Sequence, residues 1–186
     1  MAMARLLACP CALAVALTAS SAFGQGAPPL PAPGPEHQLL RLDEGTWDAV
    51  VETTMAPGTP PVTSKGVEVN TIGCGGLCLV TDFTSEMMGS PFHGHGVTAF
   101  DPAKKKYVGS WTDSMSTGLA VSEGTYDAAA KAFTGWMEGP DMTGKVTRST
   151  SVNKHVDADH RVMTMAVAGP DGKEMQVMKI SYTRRK

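Results

Sequence analysis

Residues 91–127 read PFHGHGVTAFDPAKKKYVGSWTDSMSTGLAVSEGTYD. Apolar and aromatic side chains alternate with polar ones through this stretch, the period of a strand with one face buried. Asp101-Pro102 with the lysines behind it, and Ser116-Thr117-Gly118, interrupt the alternation with turn chemistry. Three short strands joined by two turns follow. Polar groups that such strands would present on a sheet, among them His95, Trp111, Asp113 and Glu123, crowd into this one region. That points to a concave surface rather than a plain sandwich core.

The same pattern continues in both directions. Strand-like segments lie near 46–55, 63–72, 77–87, 92–100, 105–113, 118–126, 131–138, 145–155, 160–168 and 174–184, separated by turns such as Pro57-Gly58 and Gly139-Pro140-Asp141. Many short, evenly spaced strands with Gly/Pro turns indicate an all-β antiparallel sandwich or up-and-down barrel, not a βαβ fold. Residues 36–43, EHQLLRLD, read as one or two turns of helix plugging the end of a sheet. No later segment holds a helical period for three turns. Met163, Met165 and Val167 share one face of their strand; Met175, Val177 and Lys179 share one face of the last, and Met178, Ile180 and Tyr182 the other. A strand apolar on both faces is covered on both sides or closes a barrel.

With Gly45-Thr46-Trp47 after a short helix and about ten meandering strands, the chain resembles the calycin-type, lipocalin-like barrels. FDPAKKKYVGSWTDSMSTG at 100–118, EGTYDAAAKAFT at 123–134, GPDMTGKVTRS at 139–149 and GKEMQVMKISYTRRK at 172–186 are similar to the bacterial family catalogued as domain of unknown function 1579. The resemblance covers 36–186. It implies a secreted, lipocalin-like up-and-down barrel, but no established activity and no catalytic residues. Two departures stand out: Ala99-Phe100-Asp101 occupies the place of an expected Gly-Tyr-Asp, and the Cys74/Cys78 pair looks peculiar to this branch.

Residues 1–24 read as a signal peptide. Arg5 supplies the positive start, Leu6 to Ala19 an apolar run, and Ala22-Phe23-Gly24 the small residues before a cleavage at Gln25. The run is too short to span a bilayer. Residues 25–35, QGAPPLPAPGP, read as a disordered tether. The expectation is therefore an exported protein, periplasmic or secreted, with a single domain over 36–186 and no membrane contact after cleavage. Arg5 is the only charge in 1–24, so the mature chain is one unit more acidic than the formal −2. Such a chain, without a basic face, carries no electrostatic footprint for nucleic acid. Oligomeric state is not legible at this level.

Motifs of known chemistry are scarce. Cys74 and Cys78 are the only cysteines after residue 24, and Gly75-Gly76 could turn the chain sharply enough to bring them within bonding range. A disulfide is expected in an oxidising compartment; two unlinked thiols, or metal or redox work, are the alternatives. His93-Gly94-His95 places two imidazoles on one strand face, with His155 and His160 as candidates to complete a copper or zinc site. A rim or a hydrogen-bonded interior explains the histidines more simply, and the methionines are scattered rather than clustered, as gap-filling residues are. No metal or other cofactor is expected. There is no nucleophile elbow, P-loop or dinucleotide fingerprint.

The reading that combines these observations is a binding module holding a small, largely apolar molecule inside the barrel. His95, Tyr107, Trp111, Asp113, Met115, Glu123 and Tyr126 are the residues expected to line its mouth or cavity, offering aromatic area with a few orienting polar groups. The alternative from another class is an enzyme using the interior, with Asp113, Glu123 and His95 as acid/base groups.

Overall fold

The computed structural model describes residues 29–186, apart from Met142, Pro170 and Asp171. The signal peptide expected over 1–24 and the first part of the tether, 25–28, lie outside the described residues. Residues 29–34 carry no regular secondary structure. Helix α1 (Pro35–Leu40) begins with proline at its first position, where the missing N–H has no helical partner to lose. The Gly34 N–H donates to His37 Nδ1 at 3.0 Å.

Ten strands follow: β1 (Gly45–Thr53), β2 (Val62–Gly73), β3 (Cys78–Met87), β4 (Ser90–Asp101), β5 (Lys106–Asp113), β6 (Ala120–Asp127), β7 (Ala132–Pro140), β8 (Val146–His155), β9 (His160–Ala168) and β10 (Glu174–Arg184). Each pairs antiparallel with its neighbours in sequence. β1 pairs with β10, so the sheet closes into a barrel with no free edge. Residues 32–186 form one compact unit. Each expected strand is present, with ends moved by at most two residues.

The connections build the two ends differently. Asp101 Oδ1 accepts the N–H groups of Ala103 and Lys104 at 2.9 and 3.1 Å, and Asp127 Oδ1 those of Ala129 and Ala130 at 2.8 and 3.1 Å. These two Asx turns, the 3₁₀ turn at Cys74–Gly76 and helix α1 sit at one end. Cys74 and Cys78 are disulfide-bonded across that 3₁₀ turn, their Cα atoms 5.5 Å apart. Leu40 packs with Leu79 and Tyr107 there, beside Phe100, Tyr126 and Phe133, and Tyr107 Oη donates to the Glu36 carbonyl at 2.9 Å. The helix thus closes this end. The β8–β9 turn lies at this end too, and the opposite end is a mouth ringed by the remaining five connections, with Met55, Val62, Met88, Leu119 and Val146 exposed around it.

A second, larger cluster fills one flank of the interior: Trp47, Ala49 and Val51 from β1, Phe83 from β3, Phe92 from β4, and Ile180 and Tyr182 from β10. Trp111 joins it by lying flat on the inner face of β4. An ideal Cβ at Gly94 would come within 2.1 Å of its ring, and one at Gly96 within 2.9 Å, so the two glycines make the room for this ring.

One expectation is corrected. Met175 does not share a face with Val177 and Lys179. A bulge between Gln176 and Met178 shifts the register, pairing Met175 with the inward Val167 and Met178 with the inward Met165. One extra residue inverts the alternation, and both methionines face the interior.

Candidate functional site: the barrel interior

Near the helix-plugged end, charged side chains are buried among the apolar ones. Arg161 on β9 is 3 % exposed. Its guanidinium pairs with Glu68, lies 3.2 Å from Asp43 Oδ1, and stacks 3.6 Å from the Tyr182 ring centroid and 4.7 Å from that of Trp47. Glu68 also accepts from Asn70 Nδ2 at 2.6 Å and Tyr182 Oη at 2.8 Å. Thr81 Oγ1 in turn donates to Asn70 Oδ1 at 2.6 Å. Asp43 accepts from Asn153 Nδ2 at 3.1 Å and lies 2.9 Å from His155 Nε2.

Burial works against Asp43's charge, yet Arg161, His155 and Asn153 overcome it and hold its carboxyl below the ordinary range. Burial likewise works against Arg161, and Asp43 and Glu68 tighten its proton beyond the usual value. Burial, then Glu68, raises Tyr182 well above an ordinary phenol. Asp43 and Glu68 thus both face the Arg161 guanidinium, and Asp43 also faces His155. Asn153 Oδ1, His155 Nδ1 and Arg161 Nε are buried with no hydrogen-bond partner among the described residues, although Arg161 Nε lies 3.2 Å from Asp43 Oδ1 in the ion pair.

Between this network and the mouth, the interior is asymmetric. β8 turns an unbroken polar face inward: Thr147, Ser149, Ser151, Asn153 and His155, in register with inward residues of β7 and β9. Ser151 stands opposite Gly135 on one side and Met165 on the other. Ser122, Gly124 and Gly139 continue the small-residue lining across β6 and β7. Met137, Met163, Met165 and Met178 point inward yet remain only half-buried. On this flank the inward side chains are small, or half-buried methionines, in contrast to the sealed residues around Trp47.

The residues expected to line the site divide between the two sides of the wall. Tyr107, Trp111, Asp113 and Tyr126 fall on inward positions, and Met115 packs against the core beside Trp111. Tyr107 and Tyr126 belong to the plugged end; burial, with Glu36 and Tyr126 nearby, pushes the Tyr107 phenol up to about 12. Asp113 is fully engaged: Oδ2 accepts from Trp111 Nε1 at 3.0 Å, and Oδ1 from the Met115 N–H at 2.9 Å and Ser116 Oγ at 3.0 Å.

His95 and Glu123 sit on the outer wall. His95 is half exposed, with Nδ1 2.7 Å from Asp82 Oδ1, in a shallow depression shared with Thr84, His93 and Thr112. Glu123 binds Lys104 and Lys106 at 2.6 and 3.0 Å, which lower its pKa. Asp113, Glu123 and His95 are thus not brought together. Nor do the histidines converge: His93 and His95 are outside, His155 is inside, and His160 pairs with Asp157 in the β8–β9 turn. Among the described residues no group of three His, Cys, Asp or Glu side chains is placed to hold a metal ion.

The sequence reading missed Asp43, Glu68, Asn153 and Arg161. A signal was present: Arg161 has the same parity as Met163, Met165 and Val167, so a charge stood on a face already read as apolar.

Comparison with known proteins bears on the fold. The crystal structure of Rv2717c from M. tuberculosis matches with a TM-score of 0.61 at 13% identity, over 82% of this chain and 99% of that one. A redesigned β-barrel matches at 0.44 and 11% identity, over 80% and 96%. No curated protein matches the chain. The family described as protein of unknown function (DUF1579) matches residues 32–184. That span takes in helix α1 and every strand of the barrel, and the chain belongs to that family.

Proposed function

We propose that this protein is an exported binding module that takes a small, largely apolar molecule into the hollow flank of its barrel. The observation carrying this is the set of inward methionines, Met137, Met163, Met165 and Met178, left half-buried, with Met137 opposite Ser122 and Ser149 and Met165 opposite Ser151. Methionine adapts its shape to an irregular guest at small cost. A closed barrel of this strand number is wide enough for one small molecule, and the mouth opposite helix α1 is the way in. Export is supported by the signal-like N-terminus and by the Cys74–Cys78 disulfide, a bond that persists in oxidising compartments.

The test uses N-phenyl-1-naphthylamine, an uncharged fluorophore whose emission rises in apolar surroundings. The wild-type barrel brightens it in a saturable way. Ser151→Phe, which projects a ring into the hollow between Gly135 and Met165, abolishes the signal while the circular dichroism spectrum stays that of the wild type. No brightening by the wild type, or equal brightening by the variant, refutes an interior site.

A further inference from the structure

We propose that two copies of this chain associate through the outer wall of β6–β8. The two-fold axis runs along the seam between β7 and β8, and Glu138 of each copy pairs with Arg148 of the other.

The surface is built by strand alternation. Val121 stands on the outside of β6, Trp136, Glu138 and Pro140 on that of β7, and Val146 and Arg148 on that of β8. Register sets Pro140 beside Val146, and Glu138 between Val121 and Arg148. An ideal Cβ at Gly118 would lie 2.7 Å from Pro140 Cγ, so the chain entering β6, which carries Leu119, lies against Pro140. Val146 is 65% exposed, Leu119 59% and Val121 46%. Three large aliphatic side chains thus stand uncovered around one proline, on the outside of the barrel and away from its interior.

The charges within this strip are left with capacity to spare. Opposite charges directly across an antiparallel pair attract one another. Arg148 instead lies over its diagonal neighbour, 3.9 Å from the centroid of the Trp136 ring. Stacking uses the face of the guanidinium and none of its N–H donors. Glu138, directly across from Arg148, makes no hydrogen bond or ion pair among the described residues. Elsewhere on the wall, Asp48, Glu52 and Glu123 are each paired with a basic side chain.

A second copy satisfies both charges at once. An isologous interface needs a patch that complements itself. A two-fold axis lying along the β7–β8 seam exchanges cross-strand partners, so Glu138 faces Arg148, Pro140 faces Val146 and Trp136 faces Thr150 of the other copy. Each charged contact forms twice, with the guanidinium still stacked and its fork free to meet a carboxylate. A partner of one charge sign would leave either Glu138 or Arg148 unmatched.

Sedimentation equilibrium of the purified protein tests this. Two convex walls meet along a narrow strip, an interface at the small, reversible end of the range, so the series extends to about 1 mM, where a Kd of that order is read. The wild-type mass should rise with concentration toward twice that of one chain. Glu138→Arg and Arg148→Glu each set like charges against each other at both contacts and should each weaken association about tenfold or more. Mixed in equal amounts, the two variants should associate again, because the guanidinia of one then meet the carboxylates of the other; this recovery requires both to be folded. Val146→Asp should weaken association too, whereas Val50→Asp, at an exposed outward valine of β1, should not. A wild type that keeps the mass of one chain throughout overturns the inference. So do single variants that associate as the wild type does, and a mixture no heavier than its components.

Discussion

Trp111 shows how single residues decide what the barrel wall does. Its ring reaches the inner face of β4 only because Gly94 and Gly96 lack Cβ atoms, and its Nε1 is held by Asp113 Oδ2. Glycine within a strand usually weakens it, and here the aromatic covers the backbone that glycine exposes. Gly94→Ala puts a methyl 2.1 Å from Cζ2 of the ring, so Trp111 must leave its seat. We expect a loss of about 1–3 kcal/mol and a changed near-ultraviolet circular dichroism spectrum. His95→Ala, on the outer face of the same strand, should leave that spectrum as it is. A Gly94→Ala protein as stable as the wild type would place Trp111 elsewhere. The same glycines explain why the inner face of β4 was hard to read: with Phe92, Gly94 and Gly96 inward, the small residues sit inside, and the exposed His93 and His95 look like the distinctive face.

At the scale of elements, Asp43 joins three parts of the chain. It follows helix α1, its backbone carbonyl accepts from Trp47 Nε1 at 2.8 Å on β1, and its carboxylate is held by Asn153 and His155 on β8 and Arg161 on β9. Its pKa is lowered on folding, so its stabilisation is complete above the ordinary value of 3.8 and is lost as pH falls through the lower folded value. Urea unfolding of wild type and Asp43→Asn should differ by about 3 kcal/mol at pH 7, since the change leaves a buried cation short of a partner. The gap should narrow as pH drops below 3.8. A gap that does not change with pH would mean that Asp43 is not ionised in the fold. The ten strands were legible because each of the nine connections between them carries or directly follows Gly, Pro or Asp. The β10 bulge was not, since one extra residue reverses parity without any change in composition. The Asp43 network was illegible for a different reason: its members are far apart in sequence, and only barrel closure brings them together.

Across the barrel, one end is sealed by helix α1 and the Asp43 network, one flank is packed around Trp47 and Phe83, and the other flank is lined by methionine, serine and glycine. Of the residues expected to line the site, Tyr107, Trp111, Asp113 and Tyr126 fall inward because they follow one period-2 register through 107–113 and its neighbour, and Met115 packs against the core beside Trp111. His95 and Glu123 were grouped with them on chemistry, which does not report the side of the wall. The methionines provide the most direct measurement of the central claim, that the interior admits a guest. With [methyl-13C]methionine labelling, titration of N-phenyl-1-naphthylamine should move the methyl signals of Met137, Met163, Met165 and Met178 together and saturably. The exposed rim methionines Met55 and Met88 should move little. Shifts confined to Met55 and Met88, with the inward four unmoved, would contradict the account.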